Sequence, residues 1–303
     1  VFFWSVFTNV LLPILVMFGF GWLIDRRSRL DLKSLVKLNI YLFVPAFIFV
    51  HVVDSNLSGA AAARIMGFTA SIIASMFVLS AIVGRGMRYE AGHTRALQLA
   101  TMFYNSGNYG IPLMSLAFPG LGELMQVFIV LTQNISTFTV GLALAASTHR
   151  SGWRLALPML RQVSLWAVLS AIIVRVLHLP VQQVRWLWVP LHYISEGLVA
   201  FALITLGVQL SQTKVRQSLP RLGWALGLRL LIAPGIAAAL VPIFGFKGQE
   251  ATIMIVSSSF PTAVNTALIA HEFNADSQFA AAAVFYSTLL SMFTVTLLIA
   301  FLR

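Results

Sequence analysis

Cysteine is missing altogether from these 303 residues, so neither a disulfide nor a cysteine-ligated metal can form. Charge is scarce as well. Asp, Glu, Lys and Arg make up 10% of the chain, against about 25% in a soluble domain. Acidic side chains are the scarcest, nine against twenty basic ones, which leaves little for multi-carboxylate cation sites or paired-carboxylate catalysis. The six histidines (His51, His93, His149, His178, His192, His271) show no metal-ligand spacing and read as interfacial or loop residues. There is no nucleophile elbow, H-E-x-x-H or phosphate-binding glycine loop, so the sequence gives no footing for an enzyme, and no cofactor is expected.

What fills the chain is apolar side chain, 59% of residues with a mean hydropathy of +0.88. Runs long enough to cross a bilayer lie near 2–24, 35–53, 65–83, 96–118, 121–146, 163–177, 187–210, 222–244, 250–271 and 278–302. The expected fold is therefore an all-α polytopic membrane protein of ten transmembrane helices. The first run is too long for the apolar core of a signal peptide and ends in Asp25-Arg26-Arg27. Connecting segments are brief, leaving no room for a soluble domain between spans. The alanine-rich stretch 57–64 reads as a linker on the outer face. The longest connection, 147–162, divides the chain into repeats 1–148 and 149–303.

Lys and Arg set the orientation. With the loop after the first span inside, fifteen basic residues, Arg26, Arg85 and Arg229 among them, fall inside and five outside. Both termini then face outward, as in a multi-pass protein of the cell inner membrane. Five spans per repeat make the second repeat insert upside-down relative to the first. The net charge of +11 sits along the membrane edge beside anionic lipid rather than on one soluble face, which argues against nucleic acid as a partner. Tryptophans 4, 22, 153, 186, 188 and 224 lie at or near span ends, as an aromatic belt requires. Gly223 and Gly227 form a G-x-x-x-G that reads as close helix packing.

Two spans are interrupted at their centres. Asn105-Ser106-Gly107-Asn108-Tyr109-Gly110-Ile111-Pro112 breaks the fourth, and Ser257-Ser258-Ser259-Phe260-Pro261-Thr262-Ala263-Val264-Asn265 breaks the ninth, with Pro112 and Pro261 149 residues apart. Broken backbone survives at membrane depth only where it lines a cavity or is buried in protein. Paired breaks in corresponding halves point to a secondary transporter with crossing helices and a midplane site. Proline suits the first turn of a helix, so the second half of span four is expected to start near Ile111. Two helix N-termini meeting at the centre favour an anion, in the first instance a carboxylate. Candidate contacts are Asn105, Ser106, Gly107, Asn108, Pro112, Gln133, Pro261, Thr262 and Asn265. The asparagines either touch the solute or satisfy broken backbone. Gln133 either faces the crossing or bonds between helices. Tyr104, Tyr109 and Phe260 either wall the cavity or pack. Glu196 is the one carboxylate well inside a span, and intramembrane carboxylates are functional candidates by default. It could take up a proton, bind a cation or hydrogen-bond within the scaffold.

The interrupted motifs resemble those of the auxin efflux carrier family. Asn105 with Gly110-Ile111-Pro112-Leu113 is similar to the asparagine and G-I-P-L of the family's first crossover helix. Pro261-Thr262-Ala263-Val264-Asn265 resembles the bacterial P-x-A-V-N of its second, followed by Ala270-His271-Glu272-Phe273-Asn274. Val44-Pro45, Ser195-Glu196-Gly197 with Leu206-Gly207, and Ser287-Thr288-Leu289-Leu290-Ser291 agree in order along nearly the whole chain. The chain departs from the plant pattern at Asn265 and Thr266, and near Ile24 and Asp25 where plant carriers place a lysine. The resemblance thus implies a bacterial organic-acid carrier rather than an indole-acid one. It also implies a panel of crossing broken helices that moves against a scaffold, and a homodimer. Proton coupling through Glu196 is the leading expectation, potential-driven uniport of the anion comes close behind, and sodium coupling of the bile-acid symporter type is the lesser one. A solute-sensing receptor on the same fold stays open.

Overall fold

The computed structural model describes residues 2–146, 162–213, 219–272 and 275–302. Seven helices are long and apolar enough to span a membrane: α1 (Trp4–Ser28), α2 (Leu32–Val53), α3 (Gly59–Gly86), α6 (Leu121–Leu144), α8 (Arg185–Gln212), α9 (Gly223–Leu240) and α12 (Ser277–Leu302). Between them lie the shorter apolar α7 (Val163–Val176) and two helices that are broken in the middle. The first consists of α4 (Ala91–Met102) and α5 (Ile111–Ala117), the second of α10 (Gly248–Ser258) and α11 (Asn265–Glu272). The protein is an all-α polytopic membrane protein. Trp153, Lys214, Phe273, Asn274 and most of the 147–162 connection lie outside the described residues.

The helices fall into two packed groups. α1, α2, α7 and α8 contact one another, and α3, α4, α6, α9, α10, α11 and α12 form the other group. α8 also touches α5 and the turn before it, α1 touches α5 and α12, and α2 touches α6, so the first break sits against the first group. Glycine sets the crossing of α1 and α8. A Cβ on Gly21 would lie 2.1 Å from the Ile204 carbonyl oxygen, and one on Gly207 equally 2.1 Å from that of Phe18. Backbone meets backbone there, the close approach that small residues permit in membrane helices. We expect Gly207→Ala to force the pair apart at about 1–3 kcal/mol, the usual cost of overpacking. Gly19→Ala, with no atom within 4 Å of its Cβ, is the control on the facing helix α1. Equal apparent melting temperatures for the two variants in detergent would contradict this crossing.

Three readings of the sequence are corrected here. The 57–64 linker is mostly helix: Ser58 accepts the Ala61 N–H at 3.2 Å as an N-cap, and the alanines after it are the best helix formers. Its Arg64 reaches Glu250 at 2.9 Å, so the stretch does carry an ion pair. Gly223 and Gly227 have no neighbour within 4 Å of their would-be Cβ atoms, so their motif makes no tight helix contact within the chain. Arg229 does not sit at the inner edge. It is fully buried in α9, so the expected split falls to fourteen against five.

Candidate solute-binding site

The two breaks meet each other. The Asn105 N–H donates to the Pro261 carbonyl at 2.8 Å, and the Ala263 N–H to that of Phe103 at 2.9 Å. Tyr104 and Thr262 thereby form an isolated antiparallel bridge, the only strand-like pairing among the described residues. Backbone that proline and glycine exclude from helix thus finds partners in the opposite break, as burial demands. Side chains complete the junction. The Thr262 hydroxyl donates to the Ala100 carbonyl at 2.8 Å, and the Ser287 hydroxyl accepts the Thr262 N–H at 3.0 Å. Gln126 donates to the Ser106 carbonyl at 2.7 Å and accepts from the Ser257 hydroxyl at 3.2 Å, so one side chain holds both broken helices. Gln133 accepts the Tyr104 N–H at 3.4 Å.

The second half of the first broken helix starts earlier than expected. A wide π-type turn, Ser106–Gly110, runs directly into α5, with Asn105 preceding it. Pro112 therefore stands inside a continuous helical segment rather than at its beginning. Similar wide turns occupy Asn39–Phe43, Thr137–Gly141 and Leu228–Ile232. Such turns gather at functional sites. The first two of these, with Ser106–Gly110, border one cavity.

That cavity, of about 270 Å³, is lined by Asn105, Ser106, Gly107, Asn108, Gln133, Asn134 and Asn265, together with Asn39 and Val36 of α2 and Ser164 of α7. Among the described residues no lysine, arginine, aspartate or glutamate lines it. Six of the nine candidate contacts come together there. Pro112, Pro261 and Thr262 do not line it and shape the backbone behind it. Tyr104 lines it; Tyr109 and Phe260 instead pack edge to face at 5.5 Å outside it. Three polar atoms on its lining residues are buried without a partner: Asn105 Nδ2, Gln133 Nε2 and Asn39 Oδ1. A buried donor left unpaired costs about 1–3 kcal/mol, so two of them on one cavity call for an acceptor. Asn39 Nδ2 meanwhile donates to Asn108 Oδ1 at 2.5 Å. A wider cleft of about 590 Å³ shares Val36, Val264 and Asn265 with this cavity and carries Lys33 and Lys37.

Asn39 and Gln126 escaped the sequence reading, and Arg229 was read only as an edge charge, although each is a polar residue inside an apolar run. Glu196 stands apart from this site. Its side chain is 63% exposed on the surface of α8, 3.3 Å from His192 one turn earlier, and away from the cavity. Among the described residues no group of three or more His, Asp or Glu side chains is placed to hold a metal.

A family model described as "Membrane transport protein" matches residues 6–152 and 155–299. The chain is 26% identical over 294 residues to an "Uncharacterized transporter" of Methanothermobacter thermautotrophicus, covering 96% of each chain. It is 22% identical over 275 residues to another "Uncharacterized transporter" of Methanocaldococcus jannaschii, covering 88% of each. It is 23% identical over 314 residues to a Rhizobium meliloti protein named "Putative malonate transporter", covering 98% of this chain and 96% of that one. Broken apolar helices joined around a polar cavity, and a family match along almost the whole chain, agree: this protein belongs to the membrane transport protein family, alongside the auxin efflux carrier-like transporters, and is a transporter rather than an enzyme.

Proposed function

We propose that the protein is a secondary transporter that moves a small organic anion, a carboxylate, across the cell inner membrane by alternating access at the junction of the two breaks. Ten spans in two inverted repeats, 1–148 and 149–303, supply the crossing, and the protein works as a homodimer, as the family resemblance implies. The observation that carries this reading is the pair of buried, unpartnered amide nitrogens, Asn105 Nδ2 and Gln133 Nε2, on one cavity. Donors without acceptors suit a carboxylate, and the helical segments that begin at Ser106 and Asn265 add the partial positive charge of their first turns. Lys33 and Lys37 in the adjoining cleft give an anion an attractive approach. The malonate named for the Rhizobium meliloti relative makes short dicarboxylates the first solutes to try. Titration of the purified protein with malonate, monocarboxylates and the uncharged diamide of malonate tests the proposal. A carboxylate should bind and raise the melting temperature, and the diamide should not; equal binding of the diamide would remove the anion from the reading.

Both termini lie outside in this arrangement. Single cysteines introduced into the cysteine-free chain report it directly. A membrane-impermeant thiol reagent should reach position 57 from outside and leave the 147–162 connection unlabelled in intact cells, and the opposite pattern would invert the topology.

Among the described residues no aspartate or glutamate lines the cavity, which supports membrane potential acting on the anion as the driving force, ahead of proton coupling through Glu196. In proteoliposomes Glu196→Gln should keep counterflow exchange and potential-driven uptake essentially unchanged. Selective loss of uptake driven by a pH gradient would return Glu196 to the role of proton carrier.

A further inference from the structure

Arg229 is the largest fully buried side chain among the described residues, at 0% exposure. An arginine inside a membrane span is costly and marks function by default. None of the ion pairs among the described residues includes it: those are His51–Glu123, Arg64–Glu250, His93–Asp276 and His192–Glu196. Its partners are backbone. Nη1 donates to the Thr101 carbonyl at 2.7 Å and Nη2 to the Ser258 carbonyl, while Nε has no partner. Thr101 is the penultimate residue of α4 and Ser258 the last of α10. One guanidinium therefore caps the C-terminal ends of the first halves of both broken helices.

The charges balance. Each helix C-terminus carries about half a negative elementary charge, and two of them offset one guanidinium without any carboxylate. The ring of Tyr104 adds a cation–π contact, with its centroid 4.9 Å from the guanidinium carbon. Tyr104 also lines the solute cavity, so the cation and the cavity share one residue. In carriers built on broken helices, the C-terminal ends and free carbonyls of the half-helices are where a coupling sodium ion binds. Those carbonyls already hold a cation here.

We propose that Arg229 is a tethered cation standing where a coupling ion would bind, so that the two helix breaks are held together without sodium. This rests on the broken-helix carrier reading. It makes transport independent of sodium by construction, and it predicts that removing the side chain opens a small-cation site.

Melting of purified protein tests this without any transport assay. Wild type, Arg229→Ala, Arg229→Lys and Arg229→Met are compared in choline, sodium, potassium and millimolar guanidinium chloride at one ionic strength. Wild type should melt at the same temperature in every salt. Arg229→Ala should melt several degrees lower and recover saturably with guanidinium or a monovalent metal ion. Arg229→Lys, which keeps the charge, should lie much nearer wild type than Arg229→Met, which keeps the bulk; this pair decides the matter even if the alanine variant fails to fold. Saturable stabilisation of wild type by sodium would overturn the proposal. So would a folded Arg229→Ala protein indifferent to every cation, or lysine and methionine variants equally damaged. A wild type that binds no carboxylate while Arg229→Ala is rescued by guanidinium would instead sink the solute assignment and leave the tethered cation standing.

Discussion

Replacing Asn105 by alanine is expected to weaken carboxylate binding about tenfold to a hundredfold while leaving the fold's stability almost untouched. The two roles of this residue separate cleanly. Its backbone N–H makes the rung to Pro261, and alanine keeps that bond. Its side-chain Nδ2 has no partner among the described residues, so truncation breaks no bond there. A hydrogen bond to a charged acceptor contributes about 1.5–3 kcal/mol, and each 1.4 kcal/mol is a factor of ten in Kd. Asn265→Ala should lose a similar amount, since Asn265 opens α11 and borders both the cavity and the lysine-bearing cleft. Calorimetric titration of monodisperse variants gives the answer. Wild-type affinity in both would reduce these asparagines to support for broken backbone. A melting temperature that falls together with affinity in Asn105→Ala would mean its amide has a structural partner after all.

The breaks themselves were legible because glycine, proline and asparagine are rare at the centre of an apolar run and their physical meaning there is narrow. The place where the breaks touch was also near the surface of the sequence: Asn105 and Pro261 were both candidates, and the structure joins them by a hydrogen bond. What the sequence concealed was direction. A helix apolar on every side has no amphipathic face to say which flank looks inward. Glu196, well inside a span by count, therefore turns outward on α8, while Asn39 and Gln126, unremarkable by count, turn in. Arg229 was hidden by a rule that usually serves well. Basic residues in membrane proteins gather at the inner edge, and only the converging carbonyls of Thr101 and Ser258, 157 residues apart in sequence, show why this one does not. Such a pair of carbonyls has no sequence signature, since every residue carries one. The 57–64 helix was obscured by the opposite error, alanine read as spacer when Ser58 and the alanine run together specify a helix start.

Gln126→Leu is expected to be the most damaging single change at the junction. Gln126 is fully buried, and its amide bonds to both broken helices, as the Arg229 guanidinium does, here through the Ser106 carbonyl and the Ser257 hydroxyl. Leucine of similar volume leaves the packing in place but orphans both partners. Each orphaned group costs about 1–3 kcal/mol, so the sum is on the order of 2–6 kcal/mol, a large share of the stability of most folded domains. There is little room to adjust, because Gly110 already lies against Gln126 and Phe260: a Cβ there would sit 2.5 Å from Gln126 Nε2. The structural claim is the sharing, and a double-mutant cycle isolates it. Ser257→Ala alone should destabilise modestly, since it removes one donor and leaves Gln126 bound to Ser106. Added to Gln126→Leu, it should relieve the orphaned hydroxyl and make the double variant no worse, or slightly better, than Gln126→Leu. Additive losses in thermal unfolding would show that Ser257 and Gln126 act separately, and the two broken helices would then owe their contact to the backbone bridge, Thr262 and Arg229 instead.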